Sequence, residues 1–304
     1  MLRSSLTSPR AALPAPSAVV ELLKPITWFA PMWALMCGAV SSGQPIFDAP
    51  WLVVGAIILA GPLVCGTSQA VNDWFDREVD AINEPGRPIP SGRIPGQWGL
   101  TIAYAMSGLS LAVAALLGTA VFAATIVGLV LAWAYSAPPL RLKLNGWWGN
   151  AACAACYEGL AWFTGAAVLL GAVPPVSVML LAALYSFGAH GIMTLNDFKS
   201  IEGDQHLGVR TLPVQLGIAQ AARVACVVMV LPQAVVAALL WHWSHDWAVV
   251  GIIFLIAAQF ALMPRFLSDP RRFAPWYNAT GTTLFVIGML ISAIAVGTSQ
   301  AGVM

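Results

Sequence analysis

The sequence predicts an all-α integral membrane protein that crosses the bilayer nine times. Its mean hydropathy is +0.79. Of its 304 residues, 59% are hydrophobic and only 9% are charged, a balance that excludes an ordinary soluble domain. Apolar runs long enough to span a bilayer as helices recur along the whole chain. The net charge of +1 gives no indication of a nucleic-acid partner.

The nine apolar runs define the predicted spans in order. Their approximate bounds are 26–43, 51–71, 97–117, 119–136, 148–170, 176–197, 217–241, 247–264 and 277–297. Residues 1–17 are rich in Ser, Pro and Ala and contain no apolar core, so we expect a disordered cytoplasmic tail and not a cleaved signal peptide. The remainder, 18–304, is predicted to form one transmembrane domain.

The positions of the basic residues predict the orientation of the spans. With residue 1 in the cytoplasm, all 14 Lys and Arg residues fall on the cytoplasmic side, and the opposite loops contain none. Cytoplasmic loops of membrane proteins carry an excess of Lys and Arg. We therefore predict a cytoplasmic N-terminus and a C-terminus on the opposite side, which requires an odd number of spans.

Two acidic segments of the chain match each other. The segment "NDWFDREVD" at 72–80 aligns with "NDFKSIEGD" at 196–204, and an Arg-x-Ile/Leu-Pro sequence follows each, at 87–90 and 210–213. One copy lies at the end of the second span and the other at the end of the sixth, so both open on the same face. This pattern predicts a duplicated four-helix unit plus a ninth helix.

The first copy places carboxylates on one face of a helix. Asn72, Asp76 and Asp80 are spaced four residues apart, and Asp73 joins the same face. Carboxylates this close repel one another unless a cation lies between them. Oxygen ligands without Cys or His favour Mg²⁺, which usually bridges one or two carboxylates to phosphate groups. The segment therefore predicts a magnesium site for a diphosphate.

The second copy is less acidic than the first. It supplies Asn196, Asp197 and Asp204, but Ser200 stands where the first copy has Asp76. We therefore expect the tighter Mg²⁺ site in the first copy. Basic side chains in the same cytoplasmic loops can hold phosphate oxygens. The predicted phosphate contacts are Lys24, Arg87, Arg141, Lys143, Lys199 and Arg210.

Two alternative interpretations remain open at this stage. The charges could be solvated loop residues that balance one another, although two aligned clusters with aligned arginines favour a site. The repeat is also typical of secondary transporters, which keep their coupling acids near the membrane midplane. Here the acids lie at span ends beside arginines, which favours phosphate binding.

Two isolated polar residues lie inside predicted spans. Glu158 is about ten residues into the fifth span, at a depth of roughly 15 Å, and His190 lies at a comparable depth in the sixth. Ionisable groups inside a bilayer usually face a cavity or each other. We expect the two to meet across the helical hairpin and to line a cavity for a large substrate. The alternative is a structural hydrogen-bonded pair.

These segments resemble the UbiA superfamily of intramembrane prenyltransferases, and within it the (bacterio)chlorophyll synthases. The resemblance covers nearly the whole chain after the tail, and the bacteriochlorophyll branch is the more similar. Its motifs are "KPITW" (24–28), "INEPGRPIPSGRIPG" (82–96), "YSAPPLRLK" (135–143), "NGWWGN" (145–150), "MTLNDFKSIEGD" (193–204) and "GVRTLPVQLG" (208–217).

The resemblance implies a nine-helix fold and an Mg²⁺-dependent transfer of a geranylgeranyl or phytyl group from its diphosphate to the propionate of bacteriochlorophyllide a. It implies metal-binding roles for Asp73, Asp76, Asp80, Asp197 and Asp204, with Asn72 and Asn196 beside them, and a catalytic role for Tyr135. His190 becomes a possible axial ligand of the tetrapyrrole's magnesium. Many superfamily members carry a Lys four residues after that Tyr, where this chain has Pro139.

The resemblance also implies a bacterial cytoplasmic or intracytoplasmic photosynthetic membrane as the location. Membrane lipids and other proteins of pigment synthesis or assembly are the implied partners. Alternative activities within the superfamily are transfer to chlorophyllide, to a quinone ring or to a haem precursor.

Overall fold

A computed structural model describes residues 13–301 of the chain, and these are helical throughout except for short connections. Most of the predicted disordered tail lies outside the described residues, although the first helix already includes the last two residues of that range. The helices are α1 Pro16–Leu22, α2 Phe29–Ser41, α3 Pro50–Asn83, α4 Trp98–Leu117, α5 Thr119–Ser136, α6 Gly146–Leu170, α7 Val176–Asp197, α8 Ile201–His206, α9 Leu212–Leu216, α10 Ile218–His242, α11 Asp246–Ser268 and α12 Pro270–Ala301.

The described residues contain 8 helices that are long and apolar enough to cross a membrane. Each corresponds to one of the predicted spans from the second to the ninth. The first predicted span is shorter than expected, because α2 has 13 residues and is preceded by a 3₁₀ turn at Pro25–Trp28. The multi-span helical architecture is therefore confirmed, while the count of nine stays a prediction.

Helix α3 is longer than its apolar segment. It runs from Pro50 to Asn83, whereas the apolar run ends near residue 71, so the acidic copy at 72–80 continues the membrane helix as further helical turns. A π-helical stretch, Leu59–Cys65, accommodates Pro62 within it, because a proline removes one backbone donor from the helix.

Helix α2 lies at the centre of the bundle and packs closely against α6 and α12. A Cβ atom added at Gly38 would lie 1.9 Å from the Trp162 carbonyl oxygen, and one at Gly165 would lie 1.9 Å from that of Leu35. Helices in lipid approach this closely only where small residues replace bulky ones. The two glycines therefore set the distance between α2 and α6.

Two short connections position residues of the predicted site. Helix α1 buries Ala18 and Leu22 against Ala70 and Val71 of α3, which holds the segment just after α1 over the first acidic copy. The loop between α5 and α6 pairs with the second copy's loop, because the Arg210 backbone donates to Leu144 (2.9 Å) and accepts from Gly146 (2.7 Å).

Substituting Gly165→Leu tests the close approach of α2 and α6. The added side chain would overlap the α2 backbone, which cannot move aside without opening the bundle, so we expect a loss of about 3 kcal/mol in the free energy of unfolding. The measurement is thermal unfolding in detergent. Gly108→Leu is the matched control, since a Cβ at Gly108 meets nothing within 4 Å. Equal effects of the two substitutions would contradict the packing argument.

Candidate functional site

The first acidic copy forms a network of ion pairs. The Asp73 side chain is 1% exposed and lies 2.6 Å from Lys24 Nζ and 3.4 Å from Arg87 Nη1. The same Arg87 donates to Asp80 Oδ2 at 2.9 Å and to Glu84 Oε2 at 2.6 Å. One arginine thus connects the two ends of the acidic face. Lys24 and Arg87, two of the predicted phosphate contacts, therefore both lie beside Asp73.

Asp76 lies on the side of the network that faces α5. It forms an ion pair with Lys143 and accepts from Asn72 Nδ2 at 3.0 Å, and that amide also donates to Ser136 Oγ at 3.2 Å. Burial lowers the pKa of Lys143. The nearby Asp76 carboxylate acts in the opposite direction and raises that pKa. Of the two cations in the loop between α5 and α6, Arg141 and Lys143, it is therefore Lys143 that pairs with the first copy.

The second copy is divided between two helices. Asp197 is the last residue of α7, whereas Asp204 lies on the separate short helix α8. Asp197 Oδ2 accepts from Asn150 Nδ2 at 3.1 Å, and Asp204 Oδ2 accepts from the hydroxyls of Ser200 (2.8 Å) and Thr211 (3.2 Å). Burial raises the pKa of Asp204. Neutral side chains, not cations, therefore contact the second pair of acids.

The two copies face each other across the loop end of α5. Tyr135 lies within electrostatic range of both Asp76 and Asp197, and of the Cys153 thiol. Lys199 interacts electrostatically with Glu84 of the first copy's loop. Tyr135 is therefore within electrostatic range of an acid from each copy.

Three predicted phosphate or metal contacts lie at the edge of the site. Asn196 is exposed and its Oδ1 accepts from Asn278 Nδ2 at 2.8 Å, so it does not repeat the role of Asn72. Lys199 and Arg210 are exposed, and within residues 13–301 neither forms an ion pair. Lys199 and Arg210 therefore lie on the solvent side of the site.

Asn150 is a site residue that sequence reasoning missed. It is buried on α6 and bridges Thr194 (3.3 Å) and Asp197 (3.1 Å) on α7. The signal in the sequence was a polar residue at the start of an apolar span, two helical turns after the segment "YSAPPLRLK" (135–143). Spacing alone does not show which helix such a residue faces.

The acids do not form a preformed metal cage. Among the described residues, no three His, Cys, Asp or Glu side chains lie close enough together to hold an ion. Two buried atoms beside these acids nevertheless have no hydrogen-bond partner among the described residues, Asp73 Oδ2 and Arg141 Nε. An orphaned carboxylate oxygen and an orphaned guanidinium nitrogen fit a cation and an anion that arrive together, as Mg²⁺ and diphosphate do.

The ion pairs change the expectation about the two metal sites. Lys24, Arg87 and Lys143 compensate the acids of the first copy. Asp197 and Asp204 have no cation within ion-pair distance among the described residues. The larger number of acids in the first copy is therefore no longer a reason to expect tighter Mg²⁺ binding there.

An apolar cavity begins directly beneath this charged region. It has a volume of about 190 Å³ and extends from Asn72 and Tyr135 between α3, α5 and α6. A second cavity of about 40 Å³ continues from it towards Thr125 and Thr164. The shared walls, which include Ala60 and Gly128, carry small side chains. The arrangement suits a molecule with a charged head and a long apolar tail.

The expected contact between Glu158 and His190 is wrong. His190 Nε2 lies 3.2 Å from the Trp147 carbonyl oxygen. Glu158 is buried, its Oε2 has no partner, and it interacts electrostatically with Cys37 of α2. The two side chains occupy a similar depth but different faces, because α6 includes a π-helical stretch at Ala155–Leu160 that turns Glu158 towards α2.

Comparisons with known proteins agree with this geometry. A model of the UbiA prenyltransferase family matches residues 29–286. The chain is 53% identical to a bacteriochlorophyll synthase 33 kDa chain of Rhodobacter capsulatus, over 97% of this chain and 98% of that one. It is 54% identical to the protein of that name from Cereibacter sphaeroides, over 94% of each. It is 38% identical to a chloroplastic chlorophyll synthase of Oryza sativa, over 91% and 76%.

Solved structures show the same fold at low sequence identity. One described as a digeranylgeranylglyceryl phosphate synthase superposes with a TM-score of 0.72 at 19% identity, over 91% of this chain and 98% of that one. A UbiA homologue from Archaeoglobus fulgidus bound to DMAPP and Mg²⁺ superposes with a TM-score of 0.60 at 21% identity, over 94% and 100%.

One single and one double variant test the buried ion pair between Lys24 and Asp73 at the first acidic copy. Lys24→Met leaves Asp73 with Arg87 alone at 3.4 Å, so we expect a loss of about 2 kcal/mol in the free energy of unfolding. The Lys24→Met/Asp73→Asn double variant removes the charge left behind and should recover most of the loss. Both are measured by thermal unfolding in detergent.

The matched control is Glu21→Gln, which breaks the exposed pair with Arg93. Exposed pairs contribute little to stability, so this variant should unfold near the wild-type temperature. A Lys24→Met variant no less stable than Glu21→Gln would show that the Asp73 pair is not a buried one.

Proposed function

This chain belongs to the UbiA prenyltransferase family, and we propose that it esterifies the propionate of bacteriochlorophyllide a with a geranylgeranyl or phytyl group. The donor is the corresponding isoprenyl diphosphate, and diphosphate is released. The identity of 53–54% to bacteriochlorophyll synthase chains over almost their whole length supports this acceptor. The acids of the two copies and the basic side chains around them form a charged mouth. The observation that carries the proposal is that this charged mouth lies directly over an apolar cavity.

The charged mouth suits the diphosphate head of the donor. Asp73, Asp76 and Asp80 of the first copy and Asp197 and Asp204 of the second are the candidates to hold Mg²⁺ together with the diphosphate. Mg²⁺ supplies charge neutralisation of the departing diphosphate. Asp197 and Asp204 have no compensating cation within ion-pair distance among the described residues, so these two acids favour a cation most strongly.

The basic side chains around the mouth would contact the phosphate oxygens. Lys24, Arg87 and Lys143 lie within reach because each already forms an ion pair with an acid of the first copy. Arg141 has a buried Nε without a partner. A guanidinium binds phosphate oxygens in a bidentate manner, so we assign Arg141 the role of the lysine that many family members carry at the position of Pro139.

The reaction requires no general base in the protein. The allylic C–O bond breaks with both electrons leaving on the diphosphate, and a propionate oxygen forms the new C–O bond at that carbon. A propionate is already ionised at neutral pH. The protein's tasks are to position the two substrates, to stabilise the leaving group and to exclude water from the allylic cation. Tyr135, between the two copies, is placed to stabilise that cation through its ring.

The same proposal places the mouth at the cytoplasmic side of a bacterial cytoplasmic or intracytoplasmic membrane. All Lys and Arg residues fall on one side in the predicted topology. Membrane lipids surround the bundle, and other proteins of pigment synthesis or assembly are the expected partners. A transporter is disfavoured because the acids lie at helix ends and not near the midplane.

Purified protein in liposomes tests the activity directly. With bacteriochlorophyllide a, geranylgeranyl diphosphate and Mg²⁺, we expect the prenyl ester and free diphosphate in equal amounts, measured by chromatography. EDTA should abolish turnover, and excess Mg²⁺ should restore it. Turnover with chlorophyllide, a quinone or a haem precursor in preference to bacteriochlorophyllide would reassign the acceptor. Pigment or ion flux without diphosphate release would support a transporter.

Removing one acid from each copy tests the metal-binding role. The Asp73→Ala/Asp197→Ala double variant should lose at least about 100-fold in kcat, because it removes the stabilisation of the leaving group. The control is Asp246→Ala, an exposed acid at the start of α11 on the predicted opposite side. It should retain wild-type turnover. Full activity in the double variant would overturn the mechanism.

The structure separates two asparagines that the repeat predicts to be equivalent, Asn72 and Asn196, and adds a third, Asn150. Asn150→Ala frees the Asp197 carboxylate, so we expect about a tenfold higher Mg²⁺ requirement. Asn196→Ala breaks only an exposed contact to Asn278 and should shift the Mg²⁺ requirement little. Turnover titrated with Mg²⁺ measures both. A larger effect from Asn196→Ala would contradict the geometry.

A further inference from the structure

A second concave surface lies on the outer side of α6 and α7. It has a volume of about 510 Å³ and is lined by Trp147, Trp148, Phe187 and Val228, with small side chains such as Ala151 between them. Trp148 is 67% exposed and Phe187 is 56% exposed, so the surface opens towards the lipid. It shares no lining residue with the apolar cavity beneath the charged mouth.

His190 lines this groove and carries a nitrogen without a partner. The side chain is 8% exposed, and its Nε2 lies 3.2 Å from the Trp147 carbonyl oxygen. A carbonyl oxygen only accepts hydrogen bonds, so Nε2 must carry the proton and donate it. In a neutral imidazole the other nitrogen, Nδ1, then holds a lone pair. Nδ1 is buried and has no hydrogen-bond partner among the described residues.

The groove is adjacent to the second acidic copy. His190, Thr194 and Asp197 share one face of α7, since they are four and seven residues apart. Asn150, one turn after Trp147 on α6, contacts both Thr194 and Asp197. The axial distance from His190 to Asp197 is roughly 10 Å at the helical rise per residue. The groove therefore extends along α7 towards the acids.

We propose that this groove binds the tetrapyrrole acceptor and that His190 Nδ1 is the axial ligand of its central magnesium. The inference rests on the proposed function, because that function supplies a metal-centred macrocycle as substrate. A magnesium held by four ring nitrogens has an open axial position, and a neutral imidazole held by a second hydrogen bond is a common metal ligand. Trp147, Trp148 and Phe187 form apolar walls for the ring.

This assignment explains both unusual features of the groove. A lipid acyl chain would fill an apolar surface equally well, but it would leave the Nδ1 lone pair buried against hydrocarbon, which is unfavourable. The macrocycle satisfies the lone pair and the aromatic walls together. Its propionate lies at the ring edge, which can then point along α7 to the mouth. Donor and acceptor would occupy different sides of α6.

Binding without diphosphate tests the assignment independently of turnover. The probes are bacteriochlorophyllide a and the same macrocycle without its metal, each titrated against the protein in detergent. Wild type should bind the magnesium form at least about tenfold more tightly, with an absorption spectrum of a five-coordinate magnesium. His190→Leu should remove this preference and leave binding of the metal-free form nearly unchanged. His190→Gly should regain the spectrum when free imidazole is added.

Two further variants separate ligation from a general loss of structure. Ala183→Phe should fill the groove and weaken both macrocycles. Ala134→Phe, in the apolar groove between α4 and α5, should change neither. An unchanged magnesium preference in His190→Leu, or binding that Ala183→Phe does not affect, would overturn the assignment even if the ester is still formed. Normal binding without any ester would instead count against the proposed function.

Discussion

The buried Asp73 carboxylate is the constraint on which the rest of the site depends. A charge that is 1% exposed at the end of a membrane helix is unfavourable unless cations lie beside it. Lys24 comes from the segment after α1, and Arg87 comes from the loop after α3. Both must be brought to one point, so the short helix α1 and the loop are folded over the end of α3. The charged mouth results from that requirement.

The two copies of the acidic sequence have become different environments. The first copy is surrounded by cations from three separate segments, and its acids are largely compensated. In the second copy, Asp197 and Asp204 accept from the neutral donors Asn150, Ser200 and Thr211, and neither acid forms an ion pair within the described residues. Such a site can orient a ligand. Asp197 and Asp204 attract a cation, whereas the basic side chains around the first copy attract an anion. An asymmetric ligand such as a metal diphosphate with an apolar tail suits such a site.

Two π-helical stretches shape the apolar interior. Leu59–Cys65 of α3 and Ala155–Leu160 of α6 interrupt the regular helical register on opposite walls of the inner cavity. They supply Cys65 and Tyr157 to its lining, where the thiol and the phenol lie 3.4 Å apart. A π turn widens the helix and rotates the residues that follow it. Glu158 lies within the second stretch and is buried on the side of α6 that faces Cys37 of α2.

The sequence by itself determined the helical membrane class, the positions of eight long helices along the chain and the duplicated acidic copies at helix ends. These features follow from hydropathy and from residue spacing along a helix, which are local properties. Only the tertiary structure decided that Lys143 pairs with Asp76, that Asn196 faces Asn278, that Asn150 holds Asp197, and that Glu158 and His190 lie apart. Each of these depends on the rotation of one helix about its axis relative to its neighbour. Since adjacent residues point about 100° apart around a helix, equal depth in the membrane does not place two side chains in contact.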